Sequence, residues 1–191
     1  MTVLTRPGMA TFDTQRSRAS WSVIWWSVAA QAVIEGAAVA WVIAGPGSQT
    51  GVSSLPFGPK LSLPREPLWL GLAAFAGSFV EFFLFSGLLY AIARIIGGRG
   101  AFRTQAYLTA LFWVPLMALS ALAQPLGVIG SIVGLAARTY ALILLGPMLA
   151  SAHDIPLKRA WMALLVIVAL GALLALITFV FAGAWISAHL R

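Results

Sequence analysis

Residues 68–96 read LWLGLAAFAGSFVEFFLFSGLLYAIARII and contain only two charged side chains, Glu81 and Arg94. A helix needs about 20 consecutive apolar residues to cross the hydrocarbon of a bilayer, and this run exceeds that without a break. The chain around it is built the same way, with 61% hydrophobic and 9% charged side chains in 191 residues, where a soluble domain carries about a quarter charged. No soluble core of this size could hide such a run. Working outward with a window of roughly 19 residues, four more apolar segments fall at 21–44, 106–123, 126–150 and 160–188. The fold class expected is all-α, a polytopic membrane helical bundle with five transmembrane helices between residues 21 and 188.

The charges between the runs set the topology. Lys and Arg in alternate segments are Arg6, Arg16, Arg18, Arg94, Arg99, Arg103, Lys158 and Arg159 on one side, against Lys60, Arg65 and Arg191 on the other. The positive-inside rule puts the short tail 1–20 in the cytoplasm. The Gly-, Pro- and Ser-rich connector 45–67 and the tail 189–191 then lie outside. The run after the tail is too long for the apolar region of a cleaved signal peptide, so it reads as an uncleaved anchor. Trp21, Trp25, Trp26 and Trp161 fall at cytoplasmic ends and Trp41, Trp69 and Trp185 at outer ends, as headgroup-seeking residues should; Trp113 is the exception. Gln124-Pro125 between the third and fourth segments reads as the turn of a tight helical hairpin, with a re-entrant hairpin as the competing reading. Pro115 and Pro147 each remove a backbone donor and are expected to kink their helices or end them early.

Three charges lie inside the spans: Glu35, Glu81 and Arg138. A charge at the bilayer centre is costly enough that each should find a partner or a polar cavity. Helical phase places them beside small or polar residues. Ser27, Gln31 and Glu35 repeat every four residues, next to Ala32, Gly36 and Ala40; so do Ala73, Gly77 and Glu81, and Gly130, Gly134 and Arg138. Such small-residue faces let helix backbones approach closely. The arrangement predicts a polar cluster of Gln31, Glu35, Glu81 and Arg138, with Glu81 paired to Arg138, and helix packing at Gly36, Gly77, Gly130 and Gly134. The cluster reads either as a packing and specificity device or as a site for a proton, an ion or a headgroup.

Other chemistries are excluded by what is missing. There is no cysteine, which rules out disulfides and thiol chemistry. The basic residues are scattered between apolar runs, so no nucleic-acid groove can be built. His153 with Asp154, in the fourth-to-fifth loop, and His189 at the far end read as solvated loop residues that form no metal site. No serine sits in a nucleophile motif, and Gly97-Gly98-Arg99-Gly100 lacks the following Lys-Ser/Thr of a phosphate loop. No cofactor is expected. Arg16, Arg18, Arg94, Arg99 and Arg103 instead form a basic rim that attracts anionic lipid at about 1 kcal/mol per charge.

The stretch GGRGAFRTQAYLTALFWVPL, followed by an apolar hairpin and then RTYALILLGPMLASAHDIPLKRAWMALLVIVAL, resembles the Yip1-domain membrane proteins in their bacterial form. The points of resemblance are Gly98, Gly100, Phe102, Pro115, Tyr140, Leu145, Gly146, Lys158 and Ala160. The resemblance implies a five-span fold with a cytoplasmic N-terminus in the bacterial cytoplasmic (inner) membrane, and no catalytic residues. Eukaryotic members of that family bind Rab-class GTPases through a long N-terminal region; with only about 20 residues there, that activity is not carried over. The function expected is a non-enzymatic accessory, scaffold or membrane-organising protein. Its expected partners are the lipid bilayer, anionic lipids, and other membrane proteins or copies of itself. The alternative is a small transporter or channel using Glu35, Glu81 and Arg138. An intramembrane enzyme would need a nucleophile, metal or acid-base pair that the sequence does not offer.

Overall fold

The computed structural model describes residues 2–5, 8–44 and 66–189, and the described residues contain helices and turns but no strand. Two short N-terminal helices, α1 (Thr2–Thr5) and α2 (Met9–Arg16), precede five long ones: α3 (Trp21–Ala44), α4 (Pro67–Ile95), α5 (Phe102–Ala123), α6 (Val128–His153) and α7 (Leu157–His189). Residues 45–65 of the expected connector, Arg6 and the end of the C-terminal tail lie outside the described residues. Four described helical stretches are long and apolar enough to cross a bilayer: Trp21–Ala44, Pro67–Ile95, Phe102–Leu126 and Val128–His153. The fifth expected segment lies on α7, whose side chains are described only in part.

Local chemistry explains the ends. Pro67 stands at the first turn of α4, where its missing N–H costs nothing. At the other end of that helix Gly97 has φ +94° and Gly98 N–H donates to Ala93 C=O at 2.8 Å, the six-residue closure of a Schellman cap. The last turn of α6 closes in the same way. Asp154 takes the left-handed conformation at φ 53°, and Ile155 N–H donates to Ala150 C=O at 3.1 Å. Gln124–Leu126 forms one 3-10 turn, so α5 and α6 make the tight hairpin expected of Gln124-Pro125. With 22 and 26 residues they are full helices, each part of a stretch long and apolar enough to cross a bilayer. Pro115 and Pro147 lie inside α5 and α6, which continue through them.

Helix α5 is the centre of the bundle. Two thirds of its most apolar window is buried, against a third or less in the other three spans. The core around it joins Phe82, Leu89, Leu108, Phe112, Leu116, Leu144 and Met148 with Ile24 and Val28 of α3. Trp113, the tryptophan that lies away from a headgroup level, stacks on Phe85 with centroids 4.7 Å apart. A smaller cluster of Ile92, Ala93, Leu149, Ala150, Ile155, Ala160 and Ala163 ties α4, α6 and the start of α7 together at one end.

The N-terminal segment is not the free tail expected at 1–20. Val3 and Phe12 are buried in the main core, and the Phe12 ring meets Phe112 edge-on at 6.0 Å. Tyr140 Oη donates to Leu4 C=O at 2.7 Å. Tyr140 stands thirteen residues before the end of α6, so at the usual helical rise Leu4 lies about 20 Å along the bundle from that end. The segment therefore runs up the side of α6 from deep in the bundle. The physical reason is the apolar faces of two otherwise polar turns, which a solvated tail would leave uncovered.

Candidate functional site

Of the residues that carried the family resemblance, Gly98, Gly100, Phe102, Gly146, Lys158 and Ala160 gather toward one end of the bundle, whereas Pro115 and Tyr140 lie at mid-helix. The Gly97–Gly100 turn lies across the C-terminal end of α6, where Arg99 N–H donates to His153 C=O at 3.1 Å. The contact is too close for side chains. A Cβ on Gly98 would lie 2.8 Å from His153 Cβ, and one on Gly100 would lie 2.0 Å from Ala152 O. Gly146 has the same role between α6 and α7, since a Cβ there would meet the Trp161 ring at 2.7 Å. Phe102 closes the end laterally against Trp21 and Tyr90.

His153 lies beneath this turn and is fully buried, which corrects the reading of it as a solvated loop residue. Its Nε2 is 2.6 Å from Gln105 Oε1, and Gln105 Nε2 donates to Ser86 C=O at 2.8 Å. Because the Gln105 amide nitrogen is committed to Ser86, its oxygen faces the ring and His153 Nε2–H is the donor. Nδ1 then has no hydrogen-bond partner among the described residues, and neither does the buried Ser86 Oγ. A buried triad of Ser86, Gln105 and His153 thus links α4, α5 and α6. Sequence reasoning missed it because the three residues lie on different helices, far apart in the chain.

The docked N-terminal segment is latched at the same end. Ser151 Oγ donates to Asp13 at 2.6 Å, and Arg16 donates to both Asp154 carboxylate oxygens, at 2.5 and 2.9 Å. The Arg16 hydrogen bonds, and secondarily its charge, hold the Asp154 carboxyl below the usual carboxylate range against the opposing effect of burial. Arg16 is therefore engaged within the chain instead of standing free in the basic rim. Arg18, Arg94, Arg99, Arg103, Lys158 and Arg159 are exposed, and the contacts of the turn with α6 gather them at this one end.

The intramembrane charges are arranged differently from the sequence expectation. Glu35 accepts from Gln31 Nε2 at 2.9 Å and from Ser78 Oγ, closing α3 on α4. At the adjoining residue of α3, Gly36 meets Gly71 of α4 and brings the two backbones together, a Cβ on Gly36 falling 2.7 Å from Gly71 O. Gly36 packs as expected, and Gly71, its partner, was missed. Gly77 does not pack: nothing lies within 4 Å of its Cβ position. Gly130 and Gly134 do pack, against Ala123 O at 1.9 Å and Ser120 Oγ at 2.8 Å, so their contact is the chain's own hairpin. Glu81 lies within electrostatic reach of Glu35 and Arg138. The expected Glu81–Arg138 ion pair is not formed, since the ion pairs among the described residues are those of Arg16 with Asp13 and Asp154. Both side chains face outward instead, and Arg138 lines a groove on the α5–α6 hairpin. No group of three metal-ligating side chains occurs among the described residues.

A helical bundle with four membrane-length apolar helices, a central buried helix and a capped basic end is an integral membrane protein. The chain belongs to the Yip1 domain family, whose pattern it matches over residues 1–180. That match includes α1 and α2, in keeping with their burial in the bundle. No curated protein and no solved structure matches the chain.

Proposed function

We propose that this Yip1-domain protein is a five-span, non-enzymatic, membrane-organising protein of the bacterial cytoplasmic membrane, an accessory or scaffold subunit that packs against other membrane proteins or copies of itself. The supporting observation is where the inward-facing polar side chains go. Glu35 closes α3 on α4, His153 and Gln105 join α6, α5 and α4, and Arg16 latches α2 to the α6 end. Each of these groups is engaged by another element of the same chain, whereas a solute path needs such groups free along a common cavity. What faces outward, apart from Glu81 and Arg138, is mostly apolar helix surface plus the exposed arginines and lysines of one end. Those surfaces suit neighbouring helices and anionic headgroups. The positive-inside rule favours the cytoplasm for the basic end, where Arg16 latches the end of α2, and α7 is the fifth crossing of this proposal.

The test is purification of the tagged full chain in mild detergent, read by native mass and by identification of co-purifying proteins. The expected result is a fixed-stoichiometry assembly with another membrane protein or a homo-oligomer. A lone monomer that carries a solute across liposomes overturns the proposal.

A further inference from the structure

Arg138 carries the observation that the membrane-organising role leaves unused. It stands ten residues into α6 from Val128, about 15 Å at the usual helical rise, and so inside the apolar stretch. It is exposed, and it makes no hydrogen bond or ion pair among the described residues. A guanidinium at that depth requires an anion or a polar cavity, and the cavity is present. A groove of about 240 Å³ on the outer face of the hairpin is lined by Arg138, Gly134, Ser131, Gly130, Ser120 and Gln124.

Three features of this groove define what fits it. Two donors of its floor, Ser120 and Gln124, are left free by the chain, while Ser131 Oγ donates to Gly127 C=O at 3.2 Å. Ser120 is 5% exposed, and neither it nor Gln124 makes a side-chain hydrogen bond among the described residues. The glycines clear the space, because Gly130 and Gly134 approach α5 too closely for any side chain. Helical side chains lean toward the N-terminus of their helix, so Arg138 points along the groove toward Gln124 and the hairpin turn. The flanks, in contrast, are bare hydrocarbon: Leu122, Val128, Ile129, Ile132 and Leu135 are all more than 60% exposed. A polar, cationic floor between greasy walls matches an amphiphile with an anionic head. It does not match a soluble anion, for which the walls would be a penalty.

We infer that the α5–α6 groove binds the phosphate of an anionic phospholipid, with Arg138 as its charge partner, Ser120 and Gln124 as neutral donors, and the acyl chains lying on Ile129, Ile132, Leu135 and Leu122. Arg138 holds the phosphodiester through a charge-assisted fork. The site is at the end of the bundle opposite the basic rim, so it is separate from any headgroup attraction by Arg94, Arg99 and Arg103. Glu81 is not part of the groove lining and leaves the fork available.

The experiment is native mass spectrometry of the full chain in neutral detergent, titrated with phosphatidylglycerol, with a diacylglycerol of the same acyl chains, and with inorganic phosphate. The background carries Arg94→Gln, Arg99→Gln and Arg103→Gln, which removes the rim. In that background one phosphatidylglycerol is expected to remain bound. Arg138→Gln should weaken it about tenfold or more, the usual worth of one charge-assisted hydrogen bond. Gln124→Ala, at an exposed position, should weaken it less, with Arg138 still present. Diacylglycerol should not bind at the same concentrations. Equal phosphatidylglycerol affinity in the parent background and in both variants overturns the inference. So does displacement of the lipid by an equal concentration of inorganic phosphate, or an Arg138→Gln variant that loses a dimer while keeping its lipid.

Discussion

Gly100→Ala tests the capped end most directly. The added Cβ would lie 2.0 Å from Ala152 O and 2.8 Å from the Ala152 carbonyl carbon, where real contacts stop near 3.0 Å. Both atoms are backbone, so no side chain can rotate away, and the turn must lift from α6 by about 1 Å. That displacement breaks the Arg99 N–H to His153 C=O hydrogen bond, now 3.1 Å long, at about 1 kcal/mol. Forcing a methyl into a packed contact adds roughly 1–3 kcal/mol. The sum is about 2–4 kcal/mol, and at roughly 2–4 °C per kcal/mol for a chain of this size the midpoint should fall by about 5–15 °C. The control is Gly77→Ala, since nothing lies within 4 Å of that Cβ position. The assay is the fraction of protein surviving as a monodisperse peak after heating in mild detergent. Equal midpoints for the two variants would refute the packing of the turn on α6.

Three further outcomes follow from the same contacts. Asp154 has a lowered pKa in the fold, so the stability it contributes is present above the ordinary carboxylate pKa of about 3.9 and is lost as the pH falls through its folded value. The thermal advantage of wild type over Asp154→Asn should therefore be full at pH 6 and shrink below about pH 4; an advantage that grows on acidification refutes the latch. Glu35→Leu leaves Ser78 without its carboxylate partner and strands the buried Gln31 amide, at a cost of about 1–3 kcal/mol, whereas Glu35→Gln should cost clearly less; matching midpoints count against the crossing. Because the chain has no cysteine, single Ser17→Cys and Gln124→Cys variants can be labelled with a membrane-impermeant maleimide, and each should react from the opposite side of the membrane. Labelling of both from one side removes the proposed topology.

How much was legible beforehand depended on the range of the interaction. Helix α3 has the bounds expected for the first segment, 21–44, and the hairpin turn falls at Gln124-Pro125, because apolar run length and proline chemistry are properties of neighbouring residues. The packing of Gly36, Gly130 and Gly134 was visible from four-residue spacing, which a helix converts directly into a face. Gly77 shares that spacing and packs against nothing. Periodicity names a face but not the helix that covers it.

The rest required the three-dimensional partners. Glu35 was expected in one cluster with Glu81 and Arg138; it stays within electrostatic reach of Glu81, but across the α3–α4 contact, where Gly36 meets Gly71, the group it bonds is Ser78. His153 looked like a loop residue because it adjoins Asp154, and it is buried because a turn some fifty residues earlier closes over it. The N-terminal residues were read only as a short tail, and Val3 and Phe12 pack into a core with α5 and α6 that exists only once the hairpin is formed. The sequence alone therefore determined that this is a helical membrane protein, since hydropathy acts through the solvent each segment meets. Only the tertiary structure decided which charges pair, which glycines are filled against and where the N-terminus lies, because those depend on the relative rotation of helices distant in the chain.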